Sequence, residues 1–279
     1  MTTVTGTRPS YWSLVRGRVA TETRIFFRER DSLIFVFFFP LMFLLLFAAL
    51  MGGQDITPEG SPEGLVLTFK QYFLPGMIAS GFAFTGFQNL AIAIPVERDQ
   101  GILKRLRGTP LPASVYFFGK VGQVLIISIA QIIMMLLVAK FALGIPMPTE
   151  ASAWVTLTWV FFLGLAMCTV LGIAMSSVPR TGKSASAVVV PIVLVLQFIS
   201  GVYFMFDQIP TWMQSFAEVF PLKWMAQALR SVFLPEYMVH AEPRDSWELG
   251  TGAIVMALWL VLGLFLALKT FRWQARKDG

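Results

Sequence analysis

The 279-residue sequence predicts an all-α integral membrane protein: six transmembrane helices with both termini cytoplasmic, an amphipathic amino-terminal interfacial helix, a short cytoplasmic helix, and two short re-entrant outer helices between spans five and six. Three observations predict it. Hydrophobic residues make up 56% of the chain and charged residues 14%, against about 25% charged in an average soluble domain. Six apolar stretches reach the roughly 20 residues that a helix needs to cross a bilayer core of about 30 Å. The basic residues then sort to alternate sides of those stretches.

The stretches are 32–51, 72–94, 115–139, 152–177, 185–205 and 250–268, all within a single membrane domain covering 1–279. Residues 1–31 and 269–279 flank them, and 206–249 form the long connection before the last span. The first stretch, SLIFVFFFPLMFLLLFAALM, is apolar throughout. The second carries Pro75, several glycines and Gln88-Asn89, which a membrane helix tolerates where neighbours cover its backbone.

Sixteen Lys and Arg residues lie on one side: Arg8, Arg16, Arg18, Arg24, Arg28, Arg30, Arg98, Lys104, Arg105, Arg107, Arg180, Lys183, Lys269, Arg272, Arg276 and Lys277. Five lie on the other: Lys70, Lys140, Lys223, Arg230 and Arg244. The positive-inside bias places the richer side in the cytoplasm, which makes the protein multi-pass in the cell membrane. Lys120, near the cytoplasmic end of span three, is expected to snorkel. A net charge of +6 in so apolar a chain suits basic loops at an anionic leaflet rather than nucleic acid. Cys168, the single cysteine, lies inside an apolar run and reads as a packing residue. The first 31 residues are polar and Arg-rich, without a cleavable signal pattern, so the first span is expected to be its own insertion signal.

No acidic residue lies within the six stretches, and no pair of broken helices occupies matching places in two halves. Ion-coupled transport usually needs one or the other, so the energy source is expected outside this chain.

Three segments lie outside the spans. SYWSLVRGRVATETRIFFRERDS places Trp12, Leu14, Val15, Val19, Ile25, Phe26 and Phe27 among interleaved arginines. That pattern fits an interfacial helix, although a basic flank that only orients span one is the simpler alternative. In the 206–249 connection, Pro210 and Pro221 each suit a first helical turn. Each opens a short apolar-periodic segment, Trp212, Phe216 and Phe220 in the first and Leu222, Met225, Leu229 and Val232 in the second. Trp212 and Trp224 also suit an aromatic belt.

The third segment, ERDQGILKRLRGTPLP at 97–112, is the densest run of charge. Read as a helix over 97–107, it puts Ile102, Leu103 and Leu106 on one face and Glu97 and Lys104 on the other. Gly108 and Thr109-Pro110 stop it, and Gly101 removes bulk where another surface could approach. Pattern alone leaves open a protein-docking helix and a solvated basic loop.

ERDQGILKRLRGTPLP resembles the E-R-x-x-G-T-L-K-x-L-R-x-T-P-L sequence of type-2 ABC transporter permeases, in particular the drug and antibiotic export branch that includes daunorubicin-resistance-like subunits. FLPGMIASG at the start of span two, FISGVYFMFDQIPTWM at the end of span five and FPLKWMAQALRSVF before the last span also resemble family segments, in the expected order. Ile102 stands where the family commonly has Thr, and Met205-Phe206-Asp207 replaces its frequent F-x-P.

The resemblance implies a permease half that pairs with a second, identical or different half and with two cytoplasmic ATPase subunits. This chain would hold no cofactor, with ATP and Mg on the ATPases. Glu97, Arg98, Gly101, Leu103, Lys104, Arg105, Leu106, Thr109 and Pro110 would form the coupling helix, and the amino-terminal helix the connecting helix. Spans one, two and five would line the pathway, nominating Phe35, Phe38, Phe39, Met42, Phe82, Phe87, Phe198 and Tyr203. Pro210, Trp212, Phe216, Pro221 and Trp224 would belong to an outer gate. An aromatic pathway suits a hydrophobic or amphipathic substrate, such as a drug, lipid or glycan precursor.

SSVPRTGKS at 176–184 ends like a phosphate-binding loop but has Ser177 where the first glycine is required, and no βαβ unit flanks it. It reads as a short cytoplasmic turn. His240, the only histidine, has no second ligand nearby for zinc. The alternatives to a non-enzymatic transport subunit are an ATP-independent secondary transporter or a membrane-embedded lipid-modifying enzyme.

Overall fold

The structure, a computed structural model, describes residues 10–57 and 66–273. Arg8, Arg276, Lys277 and the tail beyond residue 273, all used in the sequence reading, lie outside the described residues.

Helix α1, Tyr11–Arg28, begins at Ser10, whose hydroxyl accepts from the Ser13 amide. Six helices long and apolar enough to cross a membrane follow: α2 Arg30–Met51, α3 Phe69–Asp99, α5 Ala113–Phe141, α6 Ala151–Met175, α7 Gly182–Ile199 and α10 Leu249–Thr270. The short helix α4, Ile102–Arg107, lies between α3 and α5. Helices α8, Thr211–Ala217, and α9, Pro221–Phe233, lie between α7 and α10. The chain is all-helical among the described residues apart from one isolated bridge between Asp55 and Thr68.

Span five is shorter than the sequence suggests. It ends at Ile199 rather than near 205, because Gly201 enters the left-handed region at φ 69° and turns the chain out of the helix. Tyr203 therefore sits on a turn.

A proline shapes the first span. Pro40 has no N–H, so the carbonyl of Val36, four residues back, loses its helical donor. The Gln131 side-chain amide of α5 takes that carbonyl at 2.5 Å, while its Oε1 accepts from Thr85 at 2.9 Å. Val36 and Thr85 lie in the wider π-helical turns Ile34–Phe38 and Ala83–Gln88. One buried glutamine thus ties the irregular turns of two spans to a third, meeting the demand that backbone groups away from water be bonded.

The main core is built around α3, buried along most of its length and packed against α2, α5, α6 and α9. The second short outer helix, α9, is buried on nearly every side among α3, α6 and α10. Trp224, expected in an aromatic belt, is buried and donates its indole N–H to the Glu218 carbonyl at 2.7 Å. Burial of the polar side becomes possible because Arg230 pairs with Glu242 at 2.6 Å and Gln227 donates to the carbonyls of Ser246 and Trp247.

Candidate functional site at the basic end

The segment 97–107 does not form one helix. Glu97, Arg98 and Asp99 belong to the last turn of α3. The chain breaks at Gly101, whose φ of 72° suits glycine, and α4 starts afresh at Ile102. No neighbour lies within 4 Å of where a Cβ would stand on Gly101. Within this chain its role is backbone conformation.

The break separates two sets of side chains. Arg98 is buried and donates to the carbonyls of Ser176, at the end of α6, and Arg272, just past α10. Glu97 accepts from the Tyr116 hydroxyl at 2.8 Å and pairs with Lys120. Leu103 is fully buried in the main core and the half-buried Leu106 packs against it, so the apolar face of α4 is seated on this chain through Leu103, with Ile102 half-buried. Lys104, Arg105, Arg107, Gly108, Thr109 and Pro110 remain exposed. Thr109 donates to the Leu106 carbonyl at 2.7 Å and holds the stop in place.

Lys120 does not snorkel. It is buried between Glu22 of α1, at 2.7 Å, and Glu97 of α3. Glu22 also pairs with Arg18 one turn away, and the Arg18 guanidinium carbon lies 5.4 Å from the Tyr116 ring centroid. Two cations and two carboxylates balance in charge, which permits burial that an isolated ammonium could not sustain. The stripe Val15, Val19, Glu22 and Phe26 brings α1 onto α5, where Gly119 and Gly122 leave room for Arg18 and Val19. Sequence reasoning missed Glu22 as a partner because it searched the spans for acids. The available signal was an acid in phase with the apolar stripe of α1.

The turn between α6 and α7 completes this end. The Gly182 amide donates to Asp99 at 2.6 Å, and Thr181 and Ser184 cap α7. A side chain at Gly182 would collide with the Val96 backbone, so the SSVPRTGKS glycine is a packing contact. His240 is exposed, 3.2 Å from Asp245.

Residues 18–234 match the model of the ABC-2 type transporter family. The chain belongs to that family. With its six long apolar helices, this ABC-2 chain is a multi-pass membrane protein. It is 27% identical over 195 residues to the "Putative transport permease ycf38" of Cyanophora paradoxa, covering 70% of this chain and 65% of that one. Against the "Probable multidrug ABC transporter permease YbhR" of Escherichia coli it is 22% identical, covering 66% and 49%. The "Inner membrane transport permease YadH" of Escherichia coli is 20% identical, with 80% and 84% covered. The matched region is thus under two thirds of the first two relatives' length.

Two of the ABC-2 chain's quoted motifs meet at the other end of the bundle. A Cβ on Gly76 of FLPGMIASG would stand 2.5 Å from the carbonyl oxygen of Val202 in FISGVYF. Ser80 and Tyr203 both donate to Gln197 Oε1, at 2.8 and 2.6 Å. The nominated pathway residues divide. Phe39 packs on Phe43 at 4.4 Å between ring centroids, Phe43 on Tyr203 at 5.8 Å, and Tyr203 on Phe198 at 4.9 Å, forming one ring cluster. Phe38, Met42 and Phe198 are exposed. Phe82 is buried against Phe161 of α6, and Phe87 lines a slot beside α6. The side chain of Phe35 lies outside the described residues. Of the outer residues, Pro210 precedes α8 and Pro221 opens α9; Trp212 and Phe216 are exposed, and Phe220 stacks over Trp259 of α10 at 6.1 Å.

Proposed function

We propose that this chain is one permease half of an ATP-driven exporter, working with a second half and with separate cytoplasmic ATPase subunits that carry ATP and Mg. The observation that carries this reading is the mounting of α4. Its apolar side is seated in the chain's own core through Leu103, and its basic side, Lys104, Arg105 and Arg107, is left exposed. A short helix so seated continues through the turn at Gly101 from the end of α3, where Glu97 and Lys120 join α3 to α5 and Lys120 and Glu22 join α5 to α1. Force applied by an ATPase at that surface would reach three helices together.

The basic end faces the cytoplasm in this reading, as the positive-inside bias favours. The exposed Phe38, Met42 and Phe198 supply an apolar face for the second half and for a hydrophobic or amphipathic substrate. Helices α8 and α9 would enter the membrane from outside as a re-entrant pair closing the exit; the contact of Phe220 with Trp259, midway along α10, supports that depth.

Glu97 is part of a buried network, so the decisive variants are exposed ones. Lys104→Glu with Arg105→Glu is expected to leave the permease folded while weakening co-purification with its co-encoded ATPase and lowering ATP hydrolysis by the complex. Unchanged association and hydrolysis, or substrate movement without ATP, would refute the reading.

A further inference from the structure

A slot of about 470 Å³ runs between α7 and α10 over a floor of α6. Leu171 and Met175 form the floor, and Ile192, Leu196 and Leu266 the walls. Phe220 and Trp259 close it near the middle of α10, where the Trp259 indole is occupied by the Val219 carbonyl at 2.8 Å. Polarity is confined to the opposite end: Ser177, Thr270 and Arg272 line the rim at the basic end, while the interior is hydrocarbon and sulfur. From Trp259 to Thr270 is eleven residues of α10, or about 16 Å of helix. One leaflet of a bilayer core of about 30 Å has nearly the same depth.

We propose that this slot holds one anionic phospholipid of the leaflet at the basic end, its tail between α7 and α10 and its phosphate at Arg272. The charge argument is local. Arg272 is exposed at the rim, Arg98 donates to its backbone carbonyl at 3.0 Å, and exposed Arg180 and Lys183 follow Ser177 and Val178 in the adjoining turn. Asp99, the nearby acid, is engaged by the Gly182 amide. The positive rim therefore meets an anionic headgroup rather than a zwitterionic one. The interior also selects a lipid tail over an irregular peptide, whose backbone groups would find no partner there. A lipid so placed would wedge α10 against the α9 turn through Phe220 and Trp259. Ile192 and Leu196 face this slot, and Phe38, Met42 and Phe198 of the apolar face do not line it; of the residues nominated for the pathway only Phe87 reaches its wall. Only the name of the leaflet rests on the proposed orientation.

Native mass spectrometry of the detergent-purified protein tests the site, with dioleoyl phosphatidylglycerol and dioleoyl phosphatidylcholine as probes. One phosphatidylglycerol per chain is expected to stay bound under conditions that strip phosphatidylcholine. Arg272→Glu should weaken that retention about tenfold, the scale expected for reversing one charge at an anionic surface, and Arg272→Lys should keep it. Leu196→Trp should fill the slot and expel the lipid; if that variant does not fold, Leu266→Trp on the opposite wall gives the same readout. Equal retention of the two lipids, or retention unchanged in Arg272→Glu and the slot-filling variant, means boundary lipid only and overturns the proposal. So would displacement by glycerol phosphate, which has no tail. Accessibility of a cysteine placed at Arg180 reports orientation separately.

Discussion

The Lys120 ammonium lies 2.7 Å from the Glu22 carboxylate across a sequence separation of 98 residues, and both groups are buried. The pair joins the amino-terminal helix to span three, and Glu97 draws span two into the same cluster. Lys120→Met would leave the buried Glu22 and the part-buried Glu97 without their shared cation, at an expected cost of about 3 kcal/mol. Glu22→Gln should cost less, because Glu97 still faces Lys120. Thermal unfolding followed by tryptophan fluorescence in detergent measures both, and a Lys120→Met protein as stable as the parent would refute the cluster.

Gly76 and Gly17 should respond in opposite directions. At Gly76 a side chain meets the Val202 backbone, which cannot swing aside. Gly76→Ala should therefore destabilise by about 1–3 kcal/mol. Gly17 lies inside α1 with nothing within 4 Å of a Cβ, and Gly17→Ala should stabilise by roughly 0.5–1 kcal/mol. The same unfolding assay reads both signs.

Gly101 tests conformation without crowding. Its φ of 72° penalises an L side chain although space is open, so Gly101→Ala should cost about 1–2 kcal/mol. Gly101→Asn should fall between parent and Ala, since Asn tolerates the left-handed region. Equal stability of all three proteins would show that the break does not depend on glycine.

Lys223 of α9 carries a pH signature. Burial pushes its ammonium from 10.5 down to about 8, outweighing the favourable charge of Glu242; the Trp224 ring lies 3.8 Å from the nitrogen. Between those two values the unfolded chain binds a proton that the folded chain has lost, so this group's contribution to stability rises with pH. Lys223→Met should be the more stable protein at pH 7, with its advantage over the parent shrinking toward pH 10. An advantage independent of pH would refute the depressed lysine.

Much of the architecture was legible because bilayer thickness acts on the sequence directly. Each of the six apolar stretches corresponds to a long helix, and Pro210 and Pro221 mark the starts of α8 and α9. Periodicity also found the greasy face of α4, with Leu103 and Leu106 on it. It could not say what covers that face, since a stripe of leucines looks the same whether it meets its own core or another subunit. Glu97 was grouped with the helix after it for a similar reason: charge marks an end of the apolar run, but the turn at Gly101 assigns Glu97 to the helix before.

Composition, hydropathy and charge placement thus specify the spans and their short companions, because the cost of exposing polar backbone to lipid is paid segment by segment. Folding in three dimensions chose the partners of the polar residues. Lys120 found Glu22 and Glu97, Arg230 found Glu242, and Gln131 took the carbonyl freed by Pro40. A buried charge or orphaned carbonyl is satisfied only within about 3 Å, and that proximity depends on how helices pack rather than on spacing along the chain.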